Sequence, residues 1–240
     1  MRVRGARRRS SGTHILVRDG VRGRELLVDG TFASLYRPGE VATGSVWDAL
    51  AAPVLALAPS RRRSILLLGL GGGSAARIVR SLAPRARIVG VELDPDVVAA
   101  ARRWFDLDAL GLEVVIADAR EVLARERRRF DAVLDDIFVG PGSRVRKPPW
   151  LPEPGLRLAA ARVARGGILA SNTISEGPVT ARTMCALFGG AVSIGVDGYH
   201  NRILAGGPAL ADAQALRRAI AADSTLGPTL GRLRLRTLRA

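Results

Sequence analysis

From residue 63 onward, short apolar runs alternate with longer segments of helical character. The runs are ILLL at 65–68, IVGV at 88–91, EVVIA at 113–117, FDAVL at 130–134 and GILAS at 167–171. Runs this short and this apolar read as strands buried on both faces. Asp94-Pro95 places an N-cap and a first-turn proline at the head of a helix reaching about Phe105. Further helices are predicted over 119–128, 156–164 and 178–188, and 191–196 with 202–205 reads as an antiparallel pair. Strand–helix alternation of this kind predicts an α/β fold, a doubly wound, mostly parallel Rossmann-like sheet covered on both faces.

The first part of the chain has a different texture. HILVRDG, RELLVDG and TFASLY, over 14–36, are strand-like runs separated by Asp-Gly pairs, which favour tight turns between antiparallel strands. SVWDALAAPVLAL, at 45–57, reads as a helix interrupted at Pro53. The expected organisation is a basic disordered tail (1–13), a β-hairpin region with a linking helix (14–60), a ligand-binding Rossmann-like domain (61–207) and a C-terminal helical tail (208–240).

Composition narrows the class without naming it. No run approaches the roughly 18 apolar residues of a membrane span, and the basic N-terminus lacks the apolar core of a secretory signal. Cys185 is the single cysteine, which leaves no partner for a disulfide within the chain, and a cytoplasmic location is the default expectation. The net charge is +15, which invites a nucleic-acid partner. Against that, Lys147 is the only lysine among 37 basic residues, the arginines are scattered, and aromatic residues make up only 4%. A solvated arginine-rich surface is the favoured reading, and nucleic acid is not an expected partner.

The chemistry gathers at the ends of the apolar runs. Gly69, Gly71, Gly72 and Gly73 follow the first, in a strand-to-helix turn where backbone approaches a ligand closely. The next three runs each end on acid: Glu92, then Asp118, then Asp135 with Asp136. In an open α/β sheet these ends share one rim, and ligands bind there at the switch point. Glu92, about 20 residues past the glycines, suits a ribose hydroxyl pair. No lysine follows the glycines, which excludes a P-loop. Asp118 would accept the adenine amino group, with Ala119 beside it. A carboxylate-lined rim also suits a sulfonium cation. With two histidines far apart and one cysteine, no metal site is expected.

The segments LLVDGTFASLY, ILLLGLGGGSAAR, VGVELDPDVV, VVIADAREVL, FDAVLDDIFVGP and GGILASN, within 25–205, resemble the spermidine-synthase-like branch of the class I methyltransferase fold. The resemblance implies an N-terminal hairpin domain before a seven-stranded sheet, often in a homodimer. It also implies a transferase that uses S-adenosylmethionine or its decarboxylated form. The group moved would be methyl or aminopropyl, and the acceptor a small molecule such as an amine. By the same match Glu92 and Asp118 bind the nucleoside. Asp135 takes the place of the catalytic aspartate that deprotonates the attacking amine. Asp136 and the loop over 139–150, with Trp150 toward the substrate, form the gate; Trp47 reads as either substrate-pocket lining or core packing. Two positions depart from the polyamine-making pattern: Gly72 stands where the family has an acid, and Val46-Trp47 stands where it has a Tyr-His pair. The alternatives are a methyltransferase acting on a small molecule or RNA, and a catalytically silent homologue.

Overall fold

The computed structural model describes residues 2–8 and 14–239. Four strands, β1 (Arg2–Arg8), β2 (His14–Gly20), β3 (Gly23–Val28) and β4 (Thr31–Tyr36), form an antiparallel sheet in that order. The hairpin expected from the Asp-Gly turns is therefore the centre of a larger sheet. Residues 2–8, expected in a disordered tail, instead pair with β2 from Arg2 opposite Asp19 to Arg8 opposite His14. Charge makes this tolerable: the Asp19 carboxylate takes Arg4 at 2.6 Å and Arg24 at 3.2 Å. The rest of that tail, residues 1 and 9–13, lies outside the described residues.

Helix α1 (Val46–Ala51) follows, and Pro53 sits in the 3-10 turn that continues it. Then come β5 (Ser64–Leu68), α2 (Ser74–Leu82), β6 (Arg87–Glu92), α3 (Pro95–Trp104), β7 (Glu113–Ile116), α4 (Ala119–Arg125), β8 (Phe130–Asp135), α5 (Gly155–Ala161) and β9 (Val163–Thr173). Helix α6 (Gly177–Phe188), β10 (Gly190–Val196), β11 (Arg202–Gly206), α7 (Ala213–Ala221) and β12 (Leu233–Arg239) complete the chain. The main sheet runs β12-β10-β11-β9-β8-β5-β6-β7. Its β7, β6, β5, β8 and β9 are parallel, and β11, β10 and β12 close one side antiparallel. The chain winds outward one way through β6 and β7 and the other way through β8 and β9. The switch point thus lies between β5 and β8.

The sheet has eight strands where seven were expected, and the extra one comes from the segment read as a helical tail. LRLRTLR follows period two: Leu233 and Leu235 pack on one apolar layer, while Arg234, Arg236 and Leu238 share the opposite face, where Leu238 packs on the other layer. The two faces of the main sheet carry separate apolar layers. One packs α1, α2 and α7 against Ile65, Leu67, Leu134 and Ile194, the other packs α4, α5 and α6 against Leu66, Leu68, Val133 and Leu169. A third cluster joins the front sheet to α3, through Ile15, Val17, Leu26 and Tyr36 against Val97 and Phe105. Among the described residues no helix is long and apolar enough to cross a membrane.

Candidate active site

A cavity of about 740 Å³ opens at the carboxyl ends of the parallel strands, under the front sheet. Its walls include Gly69 and Gly71 after β5, Glu92 at the end of β6, Asp118 and Ala119 after β7, and Asp136 after β8. The outer wall comes from Thr31, Phe32 and Ala33 on β4, and from the loop between β8 and α5 with Phe138, Val145, Pro148 and Trp150. The strand-end acids and the glycine turn do meet on one rim.

The glycine turn is closed upon itself. Gly69 N–H donates to Val91 O at 3.0 Å, Gly71 N–H to Glu92 Oε2 at 2.9 Å, Gly72 N–H to Ser34 Oγ at 2.6 Å and Gly73 N–H to Leu70 O at 3.0 Å. At Gly69 a Cβ would stand 2.6 Å from Asp136 O, and φ is +84°, so only glycine lets the turn cross the end of β8. Gly72 faces away from the cavity. A Cβ there would meet Ser34 Cβ at 2.8 Å and Phe105 Cδ1 at 3.1 Å, so the place of the family's acid is occupied by the front sheet rather than left open. Gly73 likewise lies outside the wall, as N-cap of α2 at φ +87°.

Glu92 accepts from Gly71 N–H with one oxygen and from Asp94 N–H at 3.1 Å with the other, which leaves an acceptor site on each for a diol. Burial raises its pKa, against the lowering effect of those amides. Asp118 caps α4 by accepting from Arg120 N–H at 2.7 Å, and its carboxylate is exposed at the cavity edge. Ala119 is buried beneath it.

The two acids at the end of β8 lie in different surroundings, and Asp135, expected in the catalytic place, is the one turned inward. Asp135 does not line the cavity. It is 1% exposed, paired with Lys147 Nζ at 2.8 Å, and accepts from Ser171 Oγ at 2.6 Å and from Ile137 N–H at 3.0 Å. Both of its oxygens are engaged inside the protein. Lys147 also donates to Ile137 O at 2.9 Å and lies 4.4 Å from the Phe138 ring centroid, tying the outer-wall loop to β8. Asp136 is the acid that faces the cavity. Its oxygens accept from Trp47 Nε1–H at 3.0 Å and Asn172 Nδ2–H at 2.7 Å. Removal from water pushes its pKa up to about 6, against the lowering effects of the Asn172 hydrogen bond and the Lys147 charge. Asn172 is itself oriented by Asn201 Nδ2–H, which donates to its Oδ1 at 3.0 Å.

Trp47 is both packed and part of the wall: 3% exposed, edge-on to Phe32 at 5.2 Å, and bonded to Asp136. Trp150 lines the cavity with Phe32, Phe138 and Tyr199, so the wall holds five of the chain's ten aromatic residues. Asn172, Asn201, Tyr199, Phe32 and Lys147 were not singled out from sequence as site residues. Lys147 alone carried a signal, as the one lysine in an arginine-rich chain.

Comparison with known proteins agrees with this geometry. The family model "Methyltransferase domain" matches residues 65–139, from β5 to the start of the outer-wall loop. A polyamine aminopropyltransferase of Chromobacterium violaceum is 35% identical over 129 residues, covering 48% of this chain and 49% of that protein. The chain spans about half, or less, of the length of the curated relatives it matches. Among solved structures, a probable spermidine synthase from Corynebacterium glutamicum superposes with a TM-score of 0.75 at 18% identity, covering 98% of this chain and 90% of that one. Human methyltransferase-like protein 13 in complex with SAH superposes at 0.63 with 23% identity, covering 79% and 93%. The chain has a class I methyltransferase fold. Within that class the fold is spermidine-synthase-like.

Proposed function

We propose that this chain is a transferase that moves an aminopropyl group from decarboxylated S-adenosylmethionine to an amine acceptor. One observation carries the reading. Asp29, Glu92, Asp94, Asp118 and Asp136 line the cavity, and no arginine, lysine or histidine does so among the described residues, in a chain of net charge +15. A wall of one sign focuses its field on ligands of the opposite sign. The four glycine amides of the turn are all engaged, so none of them is free to receive a phosphate or the carboxylate of the undecarboxylated donor. A doubly cationic donor without a carboxylate fits this wall best.

Glu92 would hold the ribose hydroxyls, Asp118 the adenine amino group, and Gly69 and Gly71 the arm beside the sulfur. When bound, the sulfonium supplies a carbon open to in-line displacement. Asp136 orients the acceptor amine and takes its proton at the oxygen facing the cavity, and its raised pKa makes it a better base than an ordinary carboxylate near neutrality. Phe32, Trp47 and Trp150 give the acceptor an apolar and aromatic wall that also attracts an ammonium. The Lys147–Asp135 pair holds the outer-wall loop in place, which favours exclusion of water from the reacting groups.

Calorimetry with methylthioadenosine and S-adenosylhomocysteine tests the donor site. Both should bind the native protein, methylthioadenosine the more tightly, and Glu92→Ala should abolish binding. Intact binding in that variant removes Glu92 from the site. Product assays with labelled aminopropyl and methyl donors across an amine panel then decide the group moved: methyl transfer, or no transfer with either donor, overturns the aminopropyl reading.

A further inference from the structure

A second cleft, of about 450 Å³, opens between α6 and the antiparallel side of the main sheet. Its shape follows from register. Ser193 on β10 lies opposite Leu204 on β11 and Arg236 on β12, and two residues on, Gly195 lies opposite Arg202 and Arg234. Residues two apart share a face, so the middle strand carries only a hydroxymethyl and a hydrogen between long flanking side chains. Arg202 leans over the trough, its Nη1 3.2 Å from where a Gly195 Cβ would stand.

The cleft is lined by His200, Arg202 and Arg236 and by no acid. Arg234, in the same row, is committed to Asp197 at 2.5 Å, whereas the side chains of Arg202 and Arg236 make no hydrogen bond or ion pair among the described residues. Ser193 lines the same trough at 7% exposure, and its hydroxyl likewise has no partner among the described residues. The first residues of α6, Gly177 and Pro178, close one end and add the positive end of a 12-residue helix. Ile174, Leu204 and Leu238 supply apolar surface.

We propose that this cleft binds a small organic anion, a phosphate or carboxylate held by Arg202, Arg236, His200 and the Ser193 hydroxyl, with an apolar stem lying on Ile174 and Leu238. Guanidinium groups suit both anions because their paired donors match two oxygens at once. The site is independent of the transferase reading, although Ile174 forms part of both cavity walls, which are of opposite sign.

The test is calorimetry at low salt with phenyl phosphate, benzoate and inorganic phosphate. At least one phenyl anion should bind at least tenfold more tightly than inorganic phosphate, and comparing the two tells phosphate from carboxylate as the preferred head. Arg202→Gln with Arg236→Gln should weaken it at least tenfold, and Ser193→Ala several-fold, with melting temperature and methylthioadenosine binding unchanged. Both arginines are exposed, so the double variant should keep its fold. No binding of either phenyl anion, inorganic phosphate binding as tightly, or equal affinity in the double variant overturns the proposal.

Discussion

Replacing Asp136 by asparagine should change the sign of its effect on stability between acid and neutral pH. The folded pKa, about 6, lies above the ordinary value of 3.8, so the native state holds this proton more tightly than the unfolded chain does. Stability from the protonated group is complete below 3.8 and is lost as pH rises through about 6. A difference of about 2 in pKa corresponds to about 3 kcal/mol, trimmed to about 2 kcal/mol by solvent at the cavity face. Asparagine keeps the shape and stays neutral, but it offers one acceptor to the two donors Trp47 Nε1–H and Asn172 Nδ2–H, a loss of about 1 kcal/mol. Near pH 4 the variant should therefore be about 1 kcal/mol less stable than the native protein, and near pH 8 about 1 kcal/mol more stable. Urea unfolding of both proteins across that range measures the difference directly, because every other titrating group cancels. A difference that stays flat in pH would refute the assignment of Asp136 as a carboxylate strained by burial. The same variant should lose transferase activity at every pH.

Lys147→Met should cost about 3–5 kcal/mol, since it leaves Asp135 charged and buried, and adding Asp135→Asn should recover part of the loss. Chemical denaturation of the single and double variants checks this, and additive losses would dissolve the pair. Gly72→Ala should cost about 1–3 kcal/mol because the new methyl meets Ser34 and Phe105. An unchanged melting temperature would show that the front sheet yields there.

The parallel half of the fold was legible because each strand is short, apolar and ended by glycine or acid, and β5, β6, β7 and β8 sit where those signals fall. The choice between Asp135 and Asp136 was not legible. Alternation reports which residues share a face, but β8 is buried on both faces, so its period carries no inward or outward sign. Asp135 turned out to meet Lys147 and Ser171, partners 12 and 36 residues away. The surroundings of Gly72 were not legible for a similar reason: only tertiary packing shows that Ser34 fills the place beside it. In β12 the density of arginine masked the alternation of Leu233 and Leu235 with Arg234 and Arg236. Trp47, read from sequence as either pocket lining or core, is both packed and part of the cavity wall.

The front sheet meets the glycine-turn side of the cavity through polar stitches: Ser34 Oγ on the Gly72 amide, and Ser74 Oγ bonded to both Leu35 N–H and Leu35 O. A seam of directional bonds fixes register in a way an oily contact does not. Thr31, Phe32 and Ala33 are therefore delivered to the cavity at a set height above the glycine turn. Recutting those three side chains can reshape the outer half of the chamber without disturbing the glycine turn, whereas any slip of β4 along its own axis reaches both at once.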